Sequence, residues 1–254
     1  ITGYLNKKIY EKNLDIKIVN AGIEGQSTLG HLYNFKVWFS KLKDFKPDFI
    51  IFYVGINDHY VPDNQIEAKS LADGAVQNSS NYEIIKDNFK SRSIFYDLIR
   101  KIKHKYYIRD KVRLTYDFDH SIKKFSNKNK FDFLTYKDAV DSYDIKKINK
   151  KNEKLINYYL NNIDQLKVET NKLGAKAIFI NQLTATGYNS EKMFVVNLSL
   201  IQHCKIKNYY CIDLGKKLIG KKDYWWDGVH TTSKGSQAIA DLIFPELYQI
   251  IKNN

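Results

Sequence analysis

The stretch of sequence that decides the fold is Phe49-Ile50-Ile51-Phe52-Tyr53-Val54-Gly55-Ile56-Asn57-Asp58. Its first six residues are all β-branched or aromatic, which favours a buried strand, and the glycine and asparagine that follow favour a turn. A similar pattern lies upstream, where the run Ile16-Lys17-Ile18-Val19 leads into Asn20-Ala21-Gly22-Ile23-Glu24-Gly25-Gln26-Ser27-Thr28. Ligands bind at the carboxyl ends of strands in α/β sheets, so both turns are candidate parts of a site.

Predicted strands and helices alternate along the rest of the chain. The apolar residues of 29–42 and 152–173 recur at helical spacing, and Gly174 marks the end of the second helix. Pro245 is expected to interrupt or shift the last helix, at 234–251. Strands are predicted at 16–20, 48–54, 177–181 and 209–214. This alternation predicts an α/β fold, with a parallel sheet between two layers of helices.

The region of about residues 60–150 breaks this alternation. It is too long for a connection within a compact domain, although 84–102 has the apolar spacing of a helix. We predict a single α/β domain over 1–254, in which this region is an insertion. Two roles for it stay open, a cap over the strand ends and a peripheral elaboration that touches no substrate.

Composition limits the classes of protein that fit. The chain has 254 residues, 43% of them hydrophobic, and a mean hydropathy of −0.48, which suits a globular domain with an apolar core. No apolar segment is long enough to span a membrane, and the first residues do not resemble a signal peptide. The net charge is +13, and residues 100–150 hold 15 Lys and Arg against 7 Asp and Glu. No nucleic-acid motif accompanies this charge, which favours a solvated basic face over a specific nucleic-acid site.

Neither the cysteines nor the histidines have the spacing of metal ligands. Cys204 and Cys211 form no paired motif; Cys211 is predicted to be a small core residue, and a disulfide between the two stays open. The histidines other than His230 stand alone in the sequence, at His31, His59, His104, His120 and His203. We therefore expect neither a metal nor a cofactor.

A third candidate segment lies near the C-terminus, where Asp227-Gly228-Val229-His230 precedes Thr231-Thr232-Ser233 and an apolar helical pattern. A carboxylate three residues before a histidine can hold the imidazole in one tautomer, as a catalytic base requires. Asp-Gly is also a common turn, so this segment taken alone favours a strand-to-helix corner with a surface histidine over a catalytic pair.

The three segments, in this order, resemble the SGNH (GDSL-type) hydrolase family. The resemblance implies the three-layer, flavodoxin-like fold of that family. It also implies that the backbone N–H of Gly25 and the side-chain amide of Asn57 form an oxyanion hole. His230 would then be the general base and Asp227 the acid that orients it.

The nucleophilic serine of the family is missing from this match. The family carries it in a Gly-Asp-Ser motif on a strand that precedes the first matched segment, whereas this chain opens with a helical pattern in which Leu5 and Ile9 share a face. We expect the natural protein to supply that strand and serine upstream of Ile1, and these 254 residues alone to be inactive by the family mechanism. Membrane anchoring through such an upstream segment, the localisation and the oligomeric state all stay open.

The resemblance favours a serine esterase or acyl-ester hydrolase, or an O-acyltransferase, with an acylated carbohydrate as one candidate substrate. The alternatives are an inactive module of the same fold that binds a glycan or a partner and, further off, a basic polyanion-binding protein. Gln182, which follows a predicted strand, and Trp226 are candidate substrate contacts. Trp225 fits either a pocket wall or core packing, and Asp58 either fixes its loop or faces solvent.

Overall fold

The computed structural model describes residues 1–61 and 132–253, apart from Glu24, Lys43 and the side chain of Ser40. The predicted helix at 84–102 and most of the predicted insertion lie outside the described residues.

Three parallel strands form the sheet of the described chain, in the order β1-β2-β3. They are β1 (Phe49–Val54), β2 (Lys176–Asn181) and β3 (Tyr210–Ile212). The strands predicted at 48–54 and 177–181 are confirmed. The third strand ends earlier than predicted because Asp213 caps the helix that follows it, accepting the Lys216 N–H at 3.0 Å.

Eight α-helices occur in the described residues. They are α1 (Thr2–Glu11), α2 (Thr28–Val37), α3 (Tyr136–Ser142), α4 (Ile145–Lys151), α5 (Glu153–Lys172), α6 (Glu191–Lys207), α7 (Leu214–Lys217) and α8 (Ser233–Lys252). Short 3₁₀ turns lie at Phe39–Lys41, Asp58–Tyr60 and Lys222–Tyr224.

The core has a helical layer on each face of the sheet. On one face, Phe52 and Phe179 belong to a buried cluster with side chains of α2, α5 and α6. Side chains alternate between the faces of a strand, so the equally buried Ile178 and Ile180 point to the other face. There α8 packs beside β3 with its own buried apolar residues. The predicted α/β fold with a parallel sheet is confirmed.

The helices agree with the prediction in part. α5 matches its predicted range, whereas α2 ends at Val37 and a 3₁₀ turn takes the rest of the predicted 29–42. The predicted break at Pro245 is wrong, because α8 continues through that residue and packs its apolar face on both sides of it. α6 was not foreseen, although Ser190 caps its start and Asn208 ends it in the left-handed conformation (φ 55°).

The strand predicted at 16–20 is also wrong. Ile18 has no strand partner in the described sheet; its backbone is paired with one side chain instead. Asn6 accepts the Ile18 N–H at 3.0 Å and donates to the Ile18 carbonyl at 2.8 Å. Val19 is 72% exposed, so the segment buries too little to form a strand by itself.

Two further contacts complete the scaffold. Leu5 and Ile9 are buried where α1 packs against α8. Cys204 and Cys211 form a disulfide that joins α6 to β3, with their Cα atoms 6.2 Å apart. Cys211 is therefore not a free core thiol. None of the described helices combines the length and the apolar character needed to cross a bilayer.

Candidate active site

The Asp227–His230 turn is held by a single carboxylate. One oxygen of Asp227 accepts the backbone N–H groups of Val229 at 2.7 Å and His230 at 2.6 Å. The other oxygen lies 2.6 Å from Nδ1 of the His230 ring. The predicted contact between the carboxylate and the imidazole is thus present, and its catalytic role stays a prediction. The turn fixes both the backbone and the ring of His230.

The charge of Asp227 suits this contact. Burial raises the pKa of its carboxyl group, but hydrogen bonds from the His230 and Val229 backbone and from the His230 ring outweigh burial and leave this pKa below its usual value. The carboxylate is therefore ionised at neutral pH and accepts a proton-bearing Nδ1. That tautomer leaves Nε2 as the basic nitrogen.

Two tryptophans precede this turn and differ in position. Trp225 is 3% exposed, so it packs in the interior. The Trp226 ring lies beside the His230 ring, with the centroids 5.2 Å apart, and the backbone N–H of Trp226 donates to the His230 backbone carbonyl at 3.1 Å. Of the two rings, that of Trp226 is the one that lies beside His230.

The turn is attached to both the sheet and α8. Ala185, just beyond β2, donates its N–H to the Gly228 carbonyl at 2.9 Å. On the other side, Thr232 caps α8 by accepting the Gly235 N–H at 3.1 Å and donates its hydroxyl to the Asp223 carbonyl at 2.7 Å. His230 therefore lies at the carboxyl end of the parallel strands.

The other two predicted site residues, Asn57 and Gly25, lie in the loop after β1 and in the segment before α2. The chain leaves β1 through Gly55, at φ 118°, and Asn57 comes two residues later. The side-chain amide of Asn57 donates to the Gln26 carbonyl at 2.9 Å. Gly25, the preceding residue, is exposed and has φ 77°. The Asn57 side chain thus contacts the segment that contains Gly25, and the role of both residues in an oxyanion hole stays a prediction.

Asp58 fixes this junction and does not face solvent. Its side chain is buried at 1% exposure and accepts both the Thr28 N–H at 3.0 Å and the Thr28 hydroxyl at 2.5 Å. Asn162 of α5 donates to the same hydroxyl at 3.0 Å. Burial raises the pKa of Asp58 to about 6, although the hydrogen bonds from Thr28 act in the opposite direction. The start of α2 is therefore tied to the loop that carries Asn57.

Both the side chain and the backbone of Gln182 form hydrogen bonds within the protein. Its side-chain oxygen accepts the Ile56 N–H at 3.0 Å, and its backbone N–H donates to the Val54 carbonyl at 3.1 Å. Residues 182–185 thus contact the Asn57 loop at one end and the Gly228 turn at the other. Sequence reasoning placed Gln182 at a strand end but missed this contact, which spans 126 residues.

A separate groove lies between α4, α5 and α6. Its volume is about 460 Å³, and it includes none of the predicted site residues. His203 lines it and pairs with Asp164 at 2.7 Å, so this histidine belongs to a helix–helix contact. In the part of the chain described, no three His, Cys, Asp or Glu side chains gather as metal ligands would.

Fold and geometry together define an α/β protein with a histidine–carboxylate pair at the carboxyl edge of a parallel sheet. The profile of the GDSL-like Lipase/Acylhydrolase family matches residues 2–243, nearly the whole chain. The chain therefore belongs to this family, which confirms the resemblance seen in its motifs and supports ester hydrolysis as its general activity. No curated protein and no solved structure matches the chain significantly.

Proposed function

We propose that the protein is a serine-type acyl-ester hydrolase in which His230 is the general base and Asp227 orients it. The observation that supports this proposal most directly is the 2.6 Å contact between the Asp227 carboxylate and Nδ1 of His230. Such a contact holds the imidazole in the tautomer whose Nε2 can take a proton from a hydroxyl group. Two more contacts of the same carboxylate, with backbone N–H groups, keep it from rotating away.

Two donors stabilise the charge that develops during attack on the ester carbonyl. The amide nitrogen of Asn57 carries two hydrogens, of which one is used by the Gln26 carbonyl, and the other is assigned to the oxyanion. The Gly25 N–H is the second donor. Each such donor contributes about 100-fold or more to the rate.

The reaction then follows the order of a serine hydrolase. Nε2 of His230 takes the proton of the nucleophilic hydroxyl as its oxygen bonds to the carbonyl carbon, which gives a tetrahedral oxyanion. His230 returns that proton to the alcohol that leaves, and an acyl-enzyme remains. Water repeats the sequence and releases the acid; an acceptor alcohol in place of water would make the protein an acyltransferase. The resemblance implies that this hydroxyl belongs to a serine.

The substrate class rests on Trp226. Its ring beside His230 offers a flat apolar surface, and such surfaces suit sugar rings and acyl chains alike. We assign an acylated carbohydrate as the candidate substrate, with a simple acetyl ester as the probe.

The test uses the full-length protein and hydrolysis of p-nitrophenyl acetate. We expect His230→Ala to lower kcat by about 1,000-fold or more, and Asp227→Asn to lower it nearly as far. His203→Ala is the matched control, because His203 also pairs with an aspartate but lies in the groove between α4, α5 and α6. It should leave kcat unchanged.

Two results would overturn the proposal. One is a complete chain that turns over no ester and holds no serine within reach of His230, which would favour the inactive binding module. The other is turnover that survives His230→Ala.

A further inference from the structure

The loop that carries Asn57 begins where the hydrogen bonds between β1 and β2 end. The β1–β2 register ends at the pair Val54 and Asn181, and one more bond, from the Gln182 N–H to the Val54 carbonyl, closes it. Ile56 is buried, so its N–H requires a partner. The side-chain oxygen of Gln182 supplies that partner at 3.0 Å, in the place of a strand carbonyl.

A residue of the helical layer holds Gln182 in place. Its backbone carbonyl accepts the side-chain amide of Asn197, from α6, at 2.7 Å. Asn197 is 1% exposed, and the Tyr188 hydroxyl also lies 3.4 Å from its amide nitrogen. The backbone from which the Gln182 side chain extends toward Ile56 is therefore anchored in the core.

We propose that Gln182 is a positioning residue that fixes Asn57, and not a substrate contact. Asn57 stands between two anchored neighbours, since Gln182 holds Ile56 on one side and the Asp58 carboxylate holds Thr28 on the other. When the hydrogen bond between the Ile56 N–H and the Gln182 side chain is lost, the side-chain amide of Asn57 shifts relative to the ester carbonyl of the substrate.

The effect on catalysis rests on the proposed function. An oxyanion donor acts in the transition state, at a separation of about 2.7–3.1 Å, and contributes little to binding of the ester itself. Displacing Asn57 should therefore lower kcat and leave KM nearly unchanged. A lost substrate contact would raise KM instead.

The experiment compares Gln182→Met with Gln182→Glu in the complete chain. Methionine has a similar length but no acceptor oxygen, whereas glutamate keeps one. We expect Gln182→Met to lower kcat about 10- to 100-fold with KM changed less than about 2-fold, and Gln182→Glu to recover most of the loss. In an Asn57→Ala background, Gln182→Met should cause no further loss.

The outcomes separate this inference from the function on which it rests. If Asn57→Ala lowers kcat while Gln182→Met does not, or if the two losses multiply, the positioning role is wrong and the proposed function stands. If Asn57→Ala leaves kcat unchanged, the oxyanion assignment fails and takes this inference with it. Hydrogen exchange in the wild-type protein provides a check that needs no variant: the Ile56 amide should exchange as slowly as those of β1, and fast exchange would overturn the proposal.

Discussion

At the scale of single residues, Asp58 combines a structural role with an electrostatic cost. It lies beside Asn57, is almost fully buried, and ties the start of α2 to the loop after β1. Burial raises its pKa from 3.8 to about 6, so the folded protein binds this proton more tightly than the unfolded chain does. Its contribution to stability therefore falls as the pH rises from about 4 to about 6.

Asp58→Asn should remove this pH dependence. Asparagine keeps an oxygen that can accept the Thr28 N–H but carries no charge, so we expect the variant to exceed the wild type in unfolding free energy at pH 7 by about 1–3 kcal/mol. The difference should shrink toward pH 4, as urea unfolding at several pH values would show.

Asp223→Asn is the control for that series. Asp223 is exposed, and its hydrogen bond with Lys234 lowers its pKa, so its pH dependence has the opposite sign. A difference in unfolding free energy between Asp58→Asn and the wild type that stays constant from pH 4 to pH 7 would contradict the raised pKa of Asp58.

Some of the site was predictable residue by residue, and some was not. Asp227 and His230 are three residues apart, so the sequence alone brings them together. The placement of Gly25 beside Asn57 came from the resemblance to a family. The contacts of Gln182 with Ile56 and of Asp58 with Thr28 were missed, because a side-chain hydrogen bond between remote segments has no local pattern.

At the scale of elements, the disulfide joins the end of α6 to β3. Cys204 and Cys211 are seven residues apart in sequence, so the bond closes a short loop between a helix and the strand it precedes. Disulfides persist in oxidising compartments and are reduced in most others, so the bond is sensitive to the redox conditions around the protein.

Replacing both cysteines by alanine should lower the free energy of unfolding by about 2–3 kcal/mol, from the loop entropy restored to the unfolded chain. For a domain of this size that corresponds to a Tm lower by about 5–10 °C. The reduced wild type should melt like the double variant, and reductant should not affect the variant. An unchanged wild-type Tm in reductant would show that the bond contributes nothing.

The elements that were predicted correctly have strong local signals. α5 has a continuous apolar stripe, and β1 and β2 are dense apolar runs. The segment at 16–20 has a weaker run, and whether it becomes a strand depends on a partner elsewhere in the chain. Pro245 did not end α8, because packing of the apolar face outweighs the one backbone hydrogen bond that proline cannot donate.

At the scale of the whole molecule, the role of about residues 60–150 as a cap over the strand ends stays a prediction. Most of it lies outside the described residues. Its described end, at α3 and α4, packs against the main fold: the Tyr143 hydroxyl donates to the Tyr188 carbonyl at 2.8 Å.

If that region selects substrates, replacing residues 62–131 with a flexible linker should change selectivity without removing the chemistry. We expect the ratio of kcat/KM for an acetyl ester to that for a longer acyl ester to move by about 10-fold, since a few apolar contacts discriminate at that level. Turnover should still depend on His230. An unchanged ratio across acyl and sugar esters would indicate a peripheral elaboration.

The site residues lie on segments that are far apart in the sequence, and this has a consequence for inheritance. The groups assigned to the chemistry run from Gly25 to His230, so no short contiguous piece of the gene encodes them all. Recombination or exon-like shuffling can transfer this activity only with nearly the entire domain. Substrate preference is different, because an insertion between β1 and α5 can be exchanged while every one of those groups is retained.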